Sequence, residues 1–235
     1  MNLKEEIIKF WKGDIEDGDE VLTKYSRDAS LLEVRPEIVV FPKDTNDLQE
    51  LVKWVHVNKE KYPKLALTPR SAGTCMAGGA IGESIIIDFT RYMNKISKVD
   101  KVTPFQIIPK YPNAHAVTIT GEAIVEPGCY YRDFEPVTLK KGLLLPCYTA
   151  SKSLNALGGM IGNNSAGEKT LNYGKTEDYI KELEVIFADG RLYSVKPLNK
   201  KELYAKIAQG DFKGDIYKNI FALINENKDD KKKAK

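Results

Sequence analysis

Long apolar stretches are missing from this chain of 235 residues. No run approaches the ~18 consecutive apolar residues that a membrane span needs, and mean hydropathy is −0.38; no transmembrane segment is expected. Cysteine is sparse: Cys75, Cys129 and Cys147 are an odd number with no C-x-x-C pair, so neither a disulfide framework nor a zinc site follows. Histidine is scarcer still, with only His56 and His115. Net charge is nearly absent. Lys and Arg number 36 against 33 Asp and Glu, and the tail 228–235, with five Lys and two Asp, accounts for the whole excess. The rest of the chain is neutral, so no nucleic-acid surface is expected, and the tail reads as a solvated end. The start, MNLKEEIIKFWKGD, carries charges where a secretory leader needs an apolar core. The expected location is the reducing cytoplasm, with a peripheral membrane association left open.

What is present is globular. Hydrophobic residues make up 42% and charged residues 29%, enough for one large domain or two small ones. Residues 3–11 predict a short amphipathic helix with Leu3, Ile7, Ile8 and Trp11 on one face. Residues 13–20 read as a loop. An apolar strand at 38–41 stops at Pro42, and Asp44 or Thr45 can cap a helix whose stripe is Leu48, Leu51, Val52 and Val55. Strands follow at 65–68 and 85–88, the second apolar enough to be buried on both faces. Residues 98–115, with Pro104, Pro109 and Pro112, read as an irregular connection. Two short strands are expected at 117–120 and 123–125, then a helix between 127 and 142 with Tyr131, Phe134 and Leu139 on one side. A hairpin spans 183–195. Its Asp189-Gly190 pair predicts a type I′ turn with positive φ at both residues. Two helices close the chain, the second with an apolar face of Ile216, Ile220, Leu223 and Ile224.

Two glycine-rich segments carry chemistry. TPRSAGTCMAGGAIG, residues 68–82, follows a strand. Its glycines let backbone N–H groups converge on an anion. Arg70 adds a planar fork suited to phosphate, and Ser71 and Thr74 add hydroxyls. A packed turn between strands is the bland reading. A P-loop is excluded, because Gly79 and Ala80 stand where Lys and Ser/Thr are required, and no G-x-G-x-x-G occurs anywhere. The second segment, GGMIGNNSAGEKTLNYG at 158–174, is too polar for a core. Its bland reading is a long surface loop. Two such loops about 80 residues apart suit one extended ligand of dinucleotide shape.

In order along the chain stand YSRDAS (25–30), RP (35–36) and VVFP (39–42), PRSAGT (69–74), VEPG (125–128), GLLLP (142–146), GGMIGNNSAG (158–167), YG (173–174) with Asp178, and DG (189–190). This series resembles the PCMH-type FAD-binding domain of the vanillyl-alcohol-oxidase flavoproteins, nearest the D-lactate dehydrogenase and glycolate oxidase branch. The resemblance implies an α+β fold of two lobes, 1–91 and 92–225, with FAD between them and a charged tail at 226–235. It places the pyrophosphate on Pro69, Arg70, Ser71, Ala72, Gly73 and Thr74. It places Pro146 beside the flavin, Gly159, Gly162, Asn164 and Gly167 along the ribityl and pyrophosphate, and Ile180 and Val185 near the adenine. Cys75 either approaches the cofactor or fills space.

The resemblance also implies a redox reaction on a 2-hydroxy acid such as D-lactate or glycolate. A cell-wall enolpyruvyl sugar nucleotide reductase shares the domain, and YSRDAS argues against that branch. Some relatives bond the flavin through a His in the first loop. Thr74 stands at that position, so non-covalent FAD is expected. Relatives of this kind carry a substrate domain after this one, which is expected on a separate chain or lost by truncation, leaving a binding module. No catalytic residue and no metal is assigned.

Overall fold

A computed structural model describes residues 2–110 and 115–228. Asn2 starts the first helix, α1 (Leu3–Ile7), by accepting the N–H groups of Lys4 and Glu5. The helix ends four residues before the apolar stripe does. Leu3, Ile7 and Trp11 are buried, but Ile8 points to solvent at 61% exposure, because the chain leaves the helix to send the Trp11 indole N–H to the Asp14 carbonyl at 3.2 Å. The loop expected at 13–20 is instead strand β1 (Asp14–Glu16) and the start of helix α2 (Asp19–Tyr25). Three polar-flanked residues show no strand period; β1 exists through its antiparallel pairing to β2 (Ile38–Phe41).

β2 falls where its apolar run predicts, and all four residues are buried. Asp44 is the cap of helix α3 (Thr45–Asn58), accepting the Asp47 N–H at 3.0 Å. Leu48 and Leu51 are buried beneath it. Strand β3 (Leu67–Arg70) lies two residues later than expected, and β4 (Ile85–Asp88) falls as predicted. The sheet order is β1-β2-β4-β3, with β4 parallel to both β2 and β3. Burial on both faces explains the unbroken apolar runs of β2 and β4. Leu22, Tyr25, Val39, Phe41 and Ile86 form the core here.

Of the irregular connection expected at 98–115, residues 98–107 are in fact part of a long strand, β5 (Ile96–Ile107), paired antiparallel with β6 (Val117–Val125), while 108–110 and 115–116 carry no helix or strand. β6 is one strand where two were expected. β5 is largely exposed and shows no clear alternation, whereas β6 alternates at its start, over Val117–Thr120; Pro104 sits where the register shifts between Lys101 and Phe105, the place where a strand tolerates proline. Pro112, and the tail from residue 229, lie outside the described residues. Helix α4 (Tyr131–Leu139) buries Tyr131 and Phe134 but leaves Leu139 at 53% exposure. Short helices α5 (Leu157–Gly162) and α6 (Thr170–Tyr173) and a 3₁₀ turn at Thr176–Tyr179 complete this part. Cys129, Tyr131, Phe134, Leu157 and Met160 make its core.

The chain divides into two compact units, one ending at Ile180 and one starting at Lys181. The second holds strands β7 (Leu183–Ile186) and β8 (Leu192–Val195) and helices α7 (Lys200–Ile207) and α8 (Phe212–Glu226). The hairpin is present, but its turn is not type I′. Only Gly190 has positive φ, at 74°. Gly190 N–H donates to the Phe187 carbonyl, and Phe187 N–H donates to Arg191. That is a type I turn closed by a glycine bulge, favoured because Asp189 turns its carboxylate to Arg191 N–H and Tyr193 Oη. The predicted face of α8 is also displaced. Ile220, Leu223 and Ile224 are 51%, 56% and 47% exposed, whereas Phe221 meets Tyr204 of α7 with ring centroids 5.8 Å apart and Lys213 is buried. Aromatic packing, which the aliphatic stripe does not report, sets the rotation of the helix.

Candidate functional site

β3 delivers the first glycine segment directly from the sheet, since Arg70 is its last residue, paired with Asp88 of β4. Ser71 then turns across to the second segment. Its Oγ donates to the Pro127 carbonyl at 3.1 Å, and the Gly158 N–H donates to the same oxygen at 2.9 Å. A Cβ on Gly158 would lie 2.6 Å from that oxygen, and one on Gly159 would lie 3.9 Å from Ser71 Cβ. The two segments, far apart in sequence, therefore meet at one main-chain oxygen, and Gly158 is required for the approach.

The second segment is built on α5. The helix ends in a Schellman motif: Ser165 N–H donates to Met160 O at 2.8 Å and Asn164 N–H to Ile161 O at 3.1 Å. Asn164 is the only non-glycine residue with positive φ among the described residues, at 45°, and its Oδ1 accepts the Glu177 N–H at 3.0 Å. Beyond the cap, Gly167 packs on the main chain of Tyr148 and Thr149. This brings the 158–167 segment onto the 146–149 turn that contains Pro146. Asp178 accepts the N–H groups of Lys175 and Lys110, both at 3.0 Å. It thereby holds Gly174, whose φ is +74°.

The glycines separate into two groups. Gly158, Gly167 and Gly174 are demanded by their neighbours. Gly159 and Gly162 are not: a Cβ at Gly162 meets nothing within 4 Å, and at Gly159 only Ser71 at ordinary contact. Both lie exposed in helix α5, where glycine costs about 0.8–1.0 kcal/mol relative to alanine. Packing within the chain does not repay that cost. A ligand lying against the bare helix surface would, so these residues fit a cofactor pressed on the backbone of α5.

The remaining predicted residues are placed as follows. Pro69 is exposed in β3, opposite Ile87, and Ala72 and Thr74 are half-buried. Gly73 has φ +67°, and a Cβ there would collide with the Arg70 guanidinium. Arg70 Nη1 donates to the carbonyls of Arg27 (2.9 Å) and Ala80 (3.1 Å), with the guanidinium 5.0 Å above the Tyr25 ring. Ile180 closes the first unit after the 3₁₀ turn, and Val185 pairs with Tyr193 in the hairpin of the second. Cys75 is partly exposed and its Sγ accepts the N–H groups of Ala77 and Gly79, so it is not a buried filler. Burial pushes the Cys129 and Cys147 thiols up to about 11. His56 and His115 are exposed. Among the described residues no cluster of metal-ligating side chains occurs, and no helix is long and apolar enough to cross a membrane.

Sequence reasoning missed what YSRDAS does. Tyr25 Oη donates to buried Asp88 at 2.7 Å; burial first, and the Asp88 carboxylate next, push the phenol far above its ordinary range. Asp28 accepts Ser30 N–H at 2.8 Å and, more weakly, Ala80 N–H at 3.5 Å. Ala29 N–H donates to Cys75 O at 3.0 Å. Burial opposes ionisation of Asp28, but the bonds from Ser30 and Ala80 and nearby Arg70 outweigh it and hold the carboxyl below its usual value. The signal was there in the charged and hydroxyl residues of a short segment without periodicity.

The chain belongs to the FAD binding domain family, whose pattern it matches over residues 36–196. Its α+β fold is that of PCMH-type flavoproteins. Alkyldihydroxyacetonephosphate synthase superposes with a TM-score of 0.62 at 21% identity, covering 85% of this chain and 35% of that one. The 6-hydroxy-D-nicotine oxidase of Arthrobacter nicotinovorans superposes at 0.59 and 20%, covering 83% and 38%. Among relatives, D-2-hydroxyglutarate dehydrogenase of Escherichia coli is 27% identical over 74% of this chain and 15% of its own length. Glycolate oxidase subunit GlcD of Bacillus subtilis is 29% identical over 71% and 31%. The chain thus spans well under half of the relatives it matches.

Proposed function

We propose that this chain binds FAD non-covalently and serves as the cofactor domain of an oxidoreductase acting on a 2-hydroxy acid. The observation that carries the reading is the junction of the two glycine segments at Pro127 together with the bare surface of Gly159 and Gly162. In this reading the loop 69–74 and the segment 159–167 hold the pyrophosphate and ribityl parts, Pro146 borders the flavin, and Ile180 and Val185 border the adenine. The four-stranded sheet within 14–88 supports a first lobe ending near residue 91. When bound, FAD supplies the two-electron acceptor that such a reaction needs. The chain's own part is to bind and orient it, through main-chain N–H groups freed by glycine. Thr74 offers no ring nitrogen for a covalent link. The substrate class rests on the relatives, whose names include D-2-hydroxyglutarate dehydrogenase, glycolate oxidase and D-lactate dehydrogenase. No residue of this chain is assigned the substrate or its proton; in the proposal they fall to further protein, on the same or a separate chain.

FAD titration of Gly159→Ala and Gly162→Ala tests the binding reading. Alanine removes the helical penalty, so each variant should be more stable without cofactor, by up to about 1 kcal/mol. The same methyl group should weaken FAD binding. Unchanged affinity in both would remove α5 from the site. After acid precipitation of the loaded protein the yellow colour should stay in the supernatant; colour in the pellet would mean a covalent bond.

A further inference from the structure

Arg70 stands where a phosphate ligand is expected, yet its hydrogen bonds run elsewhere. Nη1 reaches the carbonyls of Arg27 and Ala80. Ala80 lies ten residues on, near the end of the 68–82 segment, so one side chain ties the beginning of the loop to its last turn. The 27–29 segment adds two more ties. Asp28 faces the Ala80 N–H, so both polar groups of that peptide-bearing residue are held, and Ala29 N–H fixes the Cys75 carbonyl near the middle. Arg27 is itself pinned to Glu33 by an ion pair of 2.5 Å, and Tyr25 beneath the guanidinium is fixed by Asp88. Start, middle and end of the loop are thus clamped from one side by a six-residue segment.

We propose that Arg70 and Asp28 are positioning residues for the glycine loop, and that they act on the cofactor through the loop's backbone and not by contact with its phosphates. The proposal rests on FAD binding at this loop. Its logic is preorganisation: a glycine-rich loop loses much conformational entropy on binding, and a loop already held loses less. A guanidinium whose Nη1 holds two carbonyls supplies that order. It also accounts for Gly73, since any side chain there would displace the fork.

Cys75 gives a readout that needs no cofactor. It is the partly exposed thiol of the three, while Cys129 and Cys147 are each 1% exposed. Labelling of FAD-free protein with DTNB therefore reports opening of the loop, and silence of the two buried thiols reports that the variant is folded. Arg70→Ala and Asp28→Asn should each speed Cys75 labelling about tenfold, the effect of losing one or two hydrogen bonds, with Cys129 and Cys147 still protected. FAD affinity should fall in both, and Arg70→Lys, which keeps a donor but not the fork, should lie between wild type and Arg70→Ala on both measures. Should Arg70→Ala prove misfolded, Asp28→Asn, which keeps size and shape, carries the same test. Weakened FAD binding with unchanged Cys75 labelling would overturn the proposal and make Arg70 a direct phosphate ligand. Faster labelling with unchanged affinity would also overturn it. If wild-type protein binds no FAD, the functional reading fails, and the labelling data still decide whether the clamp exists.

Discussion

Asn164 occupies a backbone state that L-residues adopt at a cost of roughly 1–2 kcal/mol. Two things hold it there: the Schellman hydrogen bonds of α5 and the Glu177 N–H on its side chain. Asn164→Gly should therefore be nearly neutral, the gain in backbone freedom offsetting the lost side-chain bond. Asn164→Val should lower stability by about 1–3 kcal/mol, because a β-branched residue at positive φ is strained and cannot accept the bond. Urea unfolding of both variants checks this, and equal losses would show that the side-chain bond, not the backbone state, keeps Asn there. At this scale the sequence revealed residue types well and their partners poorly. Glycine density marked both loops. That Pro127 is their meeting point was invisible, because the group used is a carbonyl oxygen that every residue possesses. Likewise the fork of Arg70 suggested phosphate by its chemistry, whereas the bonds its Nη1 makes run to two main-chain carbonyls of the same chain.

Elements buried on both faces, such as β2 and β4, fell where their apolar runs placed them. Elements whose stability comes from a neighbour did not. β5 lacks a period because most of it is exposed, and Pro104 disguises it; its order comes from pairing with β6. β1 has no signal beyond its pairing to β2. The hairpin is intermediate: Asp-Gly correctly marked a reversal, but the Asp189 side chain favours a turn with one left-handed residue in place of two. Because the strain rests on Gly190 alone, Gly190→Ala should destabilise by about 1–2 kcal/mol. Asp189→Gly should also destabilise, through loss of the bonds to Arg191 and Tyr193. A gain of stability in Asp189→Gly would mean that the turn prefers the two-residue form after all. Thermal melts of the two variants separate these outcomes.

Across the whole molecule, two buried thiols begin an alkaline loss of stability that the phenols of Tyr25, Tyr131 and Tyr179, raised by burial, extend to higher pH. Burial pushes the Cys129 and Cys147 thiols up to about 11 from an ordinary value of 9. A raised folded pKa means that their contribution to stability is complete below the unfolded value and disappears as pH climbs through the folded one. Stability should therefore fall between about pH 9 and 11, and Cys129→Ala/Cys147→Ala should flatten that part of the profile even if it lowers stability at neutral pH. A profile of unchanged slope in the double variant would assign the alkaline loss to other groups. The junction at Pro127 has a different kind of consequence. It consists of a main-chain oxygen, a main-chain N–H and one hydroxyl, so sequence drift can replace nearly every side chain around it without touching the contact. Chimaeras assembled from distant relatives, spliced anywhere between residues 72 and 126, should keep the two loops in register whenever one parent supplies a hydroxyl at 71 and the other a glycine at 158. A joint built mostly of peptide groups thus asks only two things of the side chains, a hydroxyl at 71 and no side chain at 158.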